Sequence, residues 1–275
     1  MGTMTLHDLT VAYDDVGGGE GREDGEVLLL VHGHPFDRSM WRPQIETFAG
    51  PRWRVIAPDL RGYGGSTVVP GVTTLTAFAR DLAALLDRLA VGRVVLGGLS
   101  MGGQIVLEFH RLFPERVRAL VLADTLAAAE TERGRAVRRA TADRLVREGM
   151  GPYADEVLTR MVAPGTAAAL PEVTAHVRDM MRAAPPEGAA AALRGRAERP
   201  DYVGMLGRVT VPALVVVGSE DGYTPVADAR VMSDGIPGAT LAVVEGAGHL
   251  PNLERRAEFD AVLGAFLDSL PPSAR

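Results

Sequence analysis

The stretch Val94-Val95-Leu96-Gly97-Gly98-Leu99-Ser100-Met101-Gly102-Gly103 contains an apolar strand that runs directly into a helix through the pattern G-x-S-x-G. A turn this sharp needs small residues two before and two after the serine, because strand and helix approach closely there. It leaves the serine on a strained backbone with its hydroxyl exposed, as a nucleophile requires. A phosphate-binding turn is the alternative, but no G-x-G-x-x-G register fits and no lysine follows. Ser100 is therefore the candidate nucleophile.

On either side of this turn, short valine- and leucine-rich runs alternate with longer runs that have apolar residues at three- and four-residue spacing. The short runs predict buried strands at Val27–Val31, Val55–Ala57, Val94–Leu96, Ala119–Leu122, Ala213–Val217 and Leu241–Val244. The longer runs predict helices at Phe78–Leu89, Met101–Phe113 and Glu254–Leu270. This alternation predicts an α/β fold with a mostly parallel central sheet flanked by helices.

Two segments depart from this alternation. Residues 126–209 are rich in arginine and alanine, are interrupted by prolines and glycines, and contain no convincing strand. They predict a helical cap inserted after the sixth strand, between core segments at residues 1–125 and 210–275. Near the start of the chain, Gly17–Gly19 with Gly21 and Gly25 predicts a turn between two edge strands.

The composition narrows the possible partners and chemistry. The 275 residues carry a net charge of −6, whereas a nucleic-acid partner usually needs a basic face, so none is expected. No apolar run is long enough to span a bilayer and no secretion signal is visible, so a cytoplasmic protein without membrane attachment is expected. Cysteine and lysine are absent, which excludes thiolate, Schiff-base and P-loop chemistry. We expect a monomer or homodimer that uses no cofactor.

The loop after the Val27–Val31 strand reads His32-Gly33-His34-Pro35-Phe36. An acyl-transfer site needs two backbone N–H groups aimed at the developing oxyanion, one from the residue after the nucleophile and one from a loop after an earlier strand. Met101 and His34 are the candidates for these donors, and Phe36 is a candidate substrate contact. His32 and His34 could instead ligate a metal, but no cluster of histidines and carboxylates accompanies them. A hydrogen bond within the loop is the expected role of His32, and no metal site is expected.

A general base and an acid are expected downstream of the serine. The run Gly218-Ser219-Glu220-Asp221 follows the Ala213–Val217 strand, and His249 follows the Leu241–Val244 strand. The order serine, aspartate, histidine is typical of a strand-to-helix serine site, in which an imidazole takes the serine proton and a carboxylate holds its tautomer. Asp221 and His249 are therefore the candidates. Asp124 and Glu220 remain alternative acids.

Five motifs in this order resemble the α/β-hydrolase superfamily over almost the full length of the chain. They are H-G-x-P (His32–Pro35), D-x-R-G-x-G-x-S (Asp59–Ser66), the Ser100 turn, G-x-x-D-x-x-T-P (Gly218–Pro225) and G-x-G-H (Gly246–His249). Further stretches are similar to the 3-oxoadipate enol-lactonase and carboxylesterase branch: Met40–Gln44, Ala123–Thr125, Pro185–Gly188 and Ala192–Arg194. In that branch the triad falls on Ser100, Asp221 and His249, and the oxyanion donors fall on His34 and Met101.

The resemblance implies a serine hydrolase that cleaves a small carboxylic ester or lactone through an acyl-serine intermediate. Because the same fold hosts many reactions, thioester hydrolysis, carbon–carbon bond hydrolysis and perhydrolysis stay open, as does a ligand-binding protein without turnover. Arg194 is expected to bind a substrate carboxylate, since it lies in a stretch similar to the lactonase branch, whose substrate bears one.

Overall fold

The computed structural model describes residues 1–19 and 26–271, and its centre is a sheet of eight strands. The strands are β1 Gly2–Leu6, β2 Leu9–Gly17, β3 Glu26–Val31, β4 Trp53–Pro58, β5 Val94–Leu99, β6 Val117–Ala123, β7 Ala213–Gly218 and β8 Thr240–Val244. They lie in the order β1-β2-β4-β3-β5-β6-β7-β8. Strands β3 to β8 are parallel, and β1 and β2 form an antiparallel edge. The predicted α/β fold with a mostly parallel sheet is confirmed.

The described residues also form α-helices, which lie between and after the strands along the chain. They are α1 Arg42–Phe48, α2 Leu75–Arg88, α3 Met101–Leu112, α4 Glu132–Glu148, α5 Met150–Met161, α6 Pro164–Ala169, α7 Pro171–Ala183, α8 Pro186–Ala197, α9 Val226–Gly235, α10 Pro251–Glu254 and α11 Arg256–Ser269. Helices α2 and α3 match the predicted ones to within three residues at either end. The predicted helix at Glu254–Leu270 is α11, which begins two residues later, after the short helix α10.

The predicted turn at Gly17–Gly19 is wrong in one respect. The antiparallel hairpin at the sheet edge turns at His7 and Asp8, where β1 passes into β2, and His7 has a φ of 54°. Gly17 ends β2, and the next strand, β3, lies two places further into the sheet. Gly21 and Gly25 lie outside the described residues. The sequence did not reveal β1 because an edge strand with alternating exposure has no continuous apolar run.

Five helices, α4 to α8, occupy the stretch between β6 and β7, within the range predicted for the cap. Three of the predicted interruptions are helix starts, since Pro164, Pro171 and Pro186 each lie at the first position of a helix. Proline is favoured there because its missing N–H would have no partner in the helix. Gly149, with a φ of 76°, separates α4 from α5. Helices α4, α5 and α8 lie near the ends of the parallel strands, because residues of these three helices line the same cavity as Ser100.

Two apolar cores lie on opposite faces of the sheet because side chains along a strand alternate in direction. In β3, Leu28 and Leu30 belong to one core, whereas Leu29 and Val31 belong to the other. All four are fully buried, as expected for a strand in the middle of a parallel sheet. In the part of the chain that the structure describes, no helix combines the length and apolar character needed to cross a membrane.

Candidate active site

The turn between β5 and α3 presents Ser100 in a strained conformation. Its backbone has a φ of 57° and a ψ of −117°, in the region that non-glycine residues rarely adopt. Tertiary contacts hold it there: the Ser100 N–H donates to the Ala123 carbonyl at 2.9 Å, and the hydroxyl of Thr125 donates to the Ser100 carbonyl at 2.7 Å. The arrangement presents the serine side chain at the carboxyl end of the sheet, as the G-x-S-x-G pattern predicts.

The glycines around Ser100 permit the close approach of strand and helix. A Cβ on Gly98 would lie 2.4 Å from the Gly102 backbone, and a Cβ on Gly102 would lie 2.2 Å from the carbonyl oxygen of Val31. Both distances are far below van der Waals contact, and the opposing atoms belong to backbone that cannot move aside. The two glycines of the pattern are therefore steric requirements of this turn.

Gly102→Ala is expected to destabilise the protein by about 2 kcal/mol or more, because inserted carbon atoms in a tightly packed region force backbone shifts. Gly151→Ala is the matched control, since Gly151 lies in α5 and a Cβ there meets no atom within 4 Å. That change should leave stability equal or raise it, because alanine has the higher helix propensity. Urea unfolding of both variants measures the difference. Equal stability of the two would contradict the steric argument.

Asp221 and His249 are brought together by the loops after β7 and β8. His249 Nδ1 lies 2.8 Å from Asp221 Oδ2, and both side chains are almost fully buried. The Asp221 carboxylate also accepts the N–H groups of Tyr223 and Thr224 and the Thr224 hydroxyl. Burial alone would raise the pKa of Asp221, but the interaction with His249 and these hydrogen bonds lower it below its usual value. Asp221 is thus held as a carboxylate against the imidazole.

The two alternative acids are placed differently. Glu220 is exposed to solvent beside Asp221. Asp124 is fully buried at the end of β6, with a φ of 44°, and its Oδ1 accepts the Gly218 N–H at 2.9 Å. Burial, followed by the nearby charge of Asp221, raises the pKa of Asp124 well above its usual value. The raised pKa disfavours a charged Asp124, and the carboxylate in contact with His249 Nδ1 is that of Asp221, so the geometry favours Asp221.

Among the described residues, Asp124, Asp221 and His249 also form a group whose potential metal-ligand atoms lie within 4.8 Å of one another. The sequence did not predict this grouping. A cation bound to it would have to compete with the hydrogen bond between His249 Nδ1 and Asp221, and with the proton favoured on Asp124. The donor set therefore fits a hydrogen-bonded pair of residues better than a cation site.

The loop after β3 brings His34 to the site and uses His32 to hold the loop. His32 Nδ1 lies 2.8 Å from the Gly33 carbonyl and its Nε2 accepts the Leu60 N–H at 3.0 Å, so the expected role of His32 within the loop is confirmed. The backbone N–H groups of His34 and Met101 make no hydrogen bond to other described parts of the chain.

The expectation that Phe36 contacts substrate needs correction. The side chain of Phe36 is fully buried and belongs to the apolar core beneath the loop. It does not line the cavity that contains Ser100. The tight turn in which the Phe36 N–H donates to the Gly33 carbonyl directs the side chain inward instead.

A cavity of about 490 Å³, including its open mouth, is lined by three of the predicted site residues, His34, Ser100 and His249. Its lining comes from the strand ends on one side and from the insertion on the other. The strand-end side contributes His34, Ser100, Gln104, Tyr223, Thr224 and His249, and the segment between β6 and β7 contributes Leu126, Arg138, Tyr153, Met161, Leu193 and Arg196.

Arg194 does not line this cavity, contrary to the prediction. Its guanidinium forms a salt bridge with Asp143 at 2.7 Å and donates to the Gly71 carbonyl. Arg196, two residues further along, is the arginine of α8 that lines the cavity. At about 100° per residue, two positions separate side chains by about 200°, so the two arginines point to opposite sides of the helix. The arginine-rich sequence contained no signal that distinguishes them.

Comparison with known proteins agrees with this fold. The alpha/beta hydrolase fold family matches residues 26–256. A sequence relative, 3-oxoadipate enol-lactonase 2 of Acinetobacter baylyi, is 31% identical over 266 residues, 96% of this chain and 96% of the other. A solved thermophilic esterase of Thermogutta terrifontis, described as malate bound, is 39% identical, with a TM-score of 0.92 over 98% of both chains. The enol-lactonase of Burkholderia xenovorans LB400 is 27% identical, with a TM-score of 0.89 over 98% of this chain and 100% of the other. The chain therefore belongs to the α/β-hydrolase family, near its enol-lactonase and esterase branch.

Proposed function

We propose that the protein is a serine hydrolase that cleaves a small carboxylic ester or lactone through an acyl-serine intermediate. Ser100 is the nucleophile, His249 the general base, and Asp221 the carboxylate that orients the imidazole. The observation that carries this proposal is the 2.8 Å contact between His249 Nδ1 and Asp221, beside a cavity lined by both Ser100 and His249. Because the carboxylate accepts the Nδ1 proton, Nε2 keeps its lone pair for the serine hydroxyl.

In the first half of the reaction, the Ser100 Oγ attacks the carbonyl carbon and its proton passes to His249 Nε2. The tetrahedral intermediate collapses, the bond to the leaving oxygen breaks, and His249 returns the proton to that oxygen. Water then attacks the acyl-serine by the same steps, which releases the acid and restores the Ser100 hydroxyl. Asp221 stabilises the imidazolium that forms in each half.

The backbone N–H groups of His34 and Met101 are proposed to bind the oxyanion. Neither makes a hydrogen bond elsewhere in the described chain, so both are free to donate. Met101 is the first residue of α3, where the helix dipole also favours negative charge. A cytoplasmic enzyme that uses no cofactor remains our expectation.

A fluorophosphonate probe tests the proposal directly, because it labels a serine only where a base activates it. We expect stoichiometric labelling of Ser100, together with turnover of one class in a panel of esters, lactones and thioesters. An inert Ser100 would favour the ligand-binding alternative, and preference within the panel would separate ester and lactone cleavage from thioester cleavage.

Activity is expected to survive exhaustive chelation, because the proposed serine mechanism assigns no step to a metal. Hydrolysis rates before and after dialysis against EDTA measure this. Loss of activity that returns only when a divalent cation is added would contradict the proposal and would direct attention to the Asp124, Asp221 and His249 group.

We further propose that the substrate bears a negatively charged group, a carboxylate in the simplest case. Arg196 is 8% exposed, and among the described residues its side chain makes one hydrogen bond, from Nε to Gln104 Oε1 at 3.1 Å. It has no salt bridge with any carboxylate of the described residues, whereas its cavity neighbour Arg138 is paired with Glu130. Burial, with the charges of Arg138 and Arg199, lowers the pKa of Arg196, so a bound anion would relieve an unfavourable environment.

His34 adds a second donor to this side of the cavity. Burial raises the pKa of the Tyr63 phenol, and its hydroxyl oxygen lies 2.8 Å from His34 Nδ1. Burial and the charge of Arg196 lower the pKa of His34 well below its usual value, which favours the neutral imidazole. We assign the Tyr63 hydroxyl as the donor to Nδ1, which places the imidazole proton on Nε2. That buried Nε2 has no partner in the described structure. The malate described for the Thermogutta terrifontis esterase is an example of an anionic molecule bound by a relative.

Arg196→Met is expected to lower kcat/KM for a carboxylate-bearing ester by roughly ten- to a hundredfold, because a charge-assisted hydrogen bond to the substrate is lost. It should leave kcat/KM for the neutral analogue within about threefold. Its free energy of unfolding should stay equal or rise, since an apolar side chain replaces an unpaired buried charge. Steady-state kinetics on both esters and denaturant unfolding measure these effects.

Arg194→Met is the matched control, because this arginine is on the same helix but paired with Asp143 outside the cavity. It should change neither substrate's kcat/KM. Equal losses on the charged and the neutral ester in Arg196→Met would mean that Arg196 only packs the insertion.

A further inference from the structure

Glu254, in the short helix α10, is a buried carboxylate beside the turn that carries His249. It is 3% exposed, and its Oε1 accepts two backbone N–H groups, from Gly248 at 3.0 Å and from Leu250 at 3.1 Å. These are the residues directly before and after His249. One oxygen atom therefore fixes the backbone on both sides of the histidine.

The other oxygen of Glu254 binds the insertion. Its Oε2 accepts the Ala163 N–H and the Thr166 hydroxyl, each at 2.7 Å. Ala163 and Thr166 lie where α5 passes into α6, far from Glu254 along the chain. The carboxylate thus bridges the histidine turn and the helices that close the cavity.

Two further contacts join the histidine turn to the α5–α6 junction. The His249 N–H donates to the Met161 carbonyl at the end of α5 at 3.2 Å. Gly248 lies so close to the insertion that a Cβ there would be 2.5 Å from the Ala163 nitrogen. The histidine turn is therefore packed directly against the α5–α6 junction.

Burial of the Glu254 carboxylate costs free energy, because its charge is removed from water. No arginine of the described residues forms a salt bridge with Glu254, so four hydrogen bonds alone offset the cost of removing its charge from water. An apolar side chain would avoid that cost but could not hold three backbone N–H groups. The carboxylate therefore fixes the backbone position of His249 at a cost in folding free energy.

We propose that Glu254 is a positioning residue for the reaction proposed above, on which this inference rests: it holds His249 at the angle needed to accept the Ser100 proton and attaches the insertion to that histidine. Small misplacements of a catalytic group lower rates strongly, because proton transfer depends on distance and alignment. The hydrogen bonds also couple the two halves of the cavity, so that a shift of the α5–α6 junction moves the histidine turn with it.

Glu254→Gln tests this proposal. The amide keeps the shape of the side chain, but its nitrogen is a donor and must face two of the four donors that the carboxylate binds. We expect kcat to fall about ten- to a hundredfold while KM changes less than about threefold. The rate at which a fluorophosphonate labels Ser100 should fall by a similar factor, because labelling also depends on His249.

Glu108→Gln is the matched control for loss of stability. Glu108 is a second fully buried carboxylate, in α3, that accepts hydrogen bonds from Thr76, Arg111 and Tyr202 and does not line the cavity. This variant should lose stability without a change in kcat. If Glu254→Gln does not fold, Thr166→Val removes one of the four hydrogen bonds and should lower kcat about threefold, whereas Thr76→Val in the control network should not.

A Glu254→Gln protein that is folded and keeps the wild-type kcat and labelling rate would overturn the proposal. So would equal effects of the Glu254 and Glu108 variants on kcat, or a Thr166→Val protein with unchanged kcat. Failure of the proposed function gives a different result, since the wild-type protein itself would then resist labelling.

Discussion

Ser100→Ala is expected to lower kcat at least about a thousandfold, because the variant has no atom that can form the acyl intermediate. The residual rate would come from the oxyanion donors and from substrate binding alone. Steady-state rates on an ester that the wild-type protein hydrolyses measure the loss, and the fluorophosphonate probe should no longer label the protein. His249→Ala should be nearly as damaging, and combining the two changes should add little, since the residues act as a unit.

Ser66→Ala is the control for this prediction. Ser66 is also a buried serine, but its hydroxyl donates to the Asp59 carbonyl and accepts the Ala12 N–H, away from the cavity. We expect a moderate loss of stability and an unchanged kcat. A folded Ser100→Ala protein that kept a tenth of the wild-type kcat would show that Ser100 is not the nucleophile.

Asp221→Asn is expected to lower kcat by about 10⁴-fold, because an amide facing His249 Nδ1 favours the wrong tautomer and cannot stabilise the imidazolium. Asp124→Asn should lower kcat less than about tenfold. Burial and the charge of Asp221 raise the pKa of Asp124 well above its usual value, which favours the neutral acid, and asparagine is a neutral group of the same shape that can still accept the Gly218 N–H. Steady-state kinetics on both variants measure the two values of kcat. The comparison is closely matched, because both carboxyl groups are buried and have oxygen atoms within 4.8 Å of each other. The reverse ranking would move the catalytic acid to Asp124.

The sequence was sufficient for those features that depend on neighbouring residues. The G-x-S-x-G pattern requires glycine at position 98 because a Cβ there would lie 2.4 Å from the Gly102 backbone, four residues further along the same turn. The strand-end positions of Asp221 and His249 follow from parallel strands, whose carboxyl ends meet at one edge of the sheet. Buried strands in the middle of the sheet, such as β3, are continuous apolar runs and could be recognised directly.

Features that depend on the packing of distant segments appeared only in the structure. Arg194 and Arg196 look alike in sequence, and only the docking of α8 decides which one faces the cavity; Gly195, between them, lies against the Thr73 backbone. The hydrogen bonds of Glu254 join residues that are 91 and 88 positions apart, and no local pattern records such a contact. Local sterics and hydrophobic periodicity thus indicate the fold and the candidate triad. The rotation and docking of helices determine the pocket, because packing energy is shared among residues that the sequence does not place together.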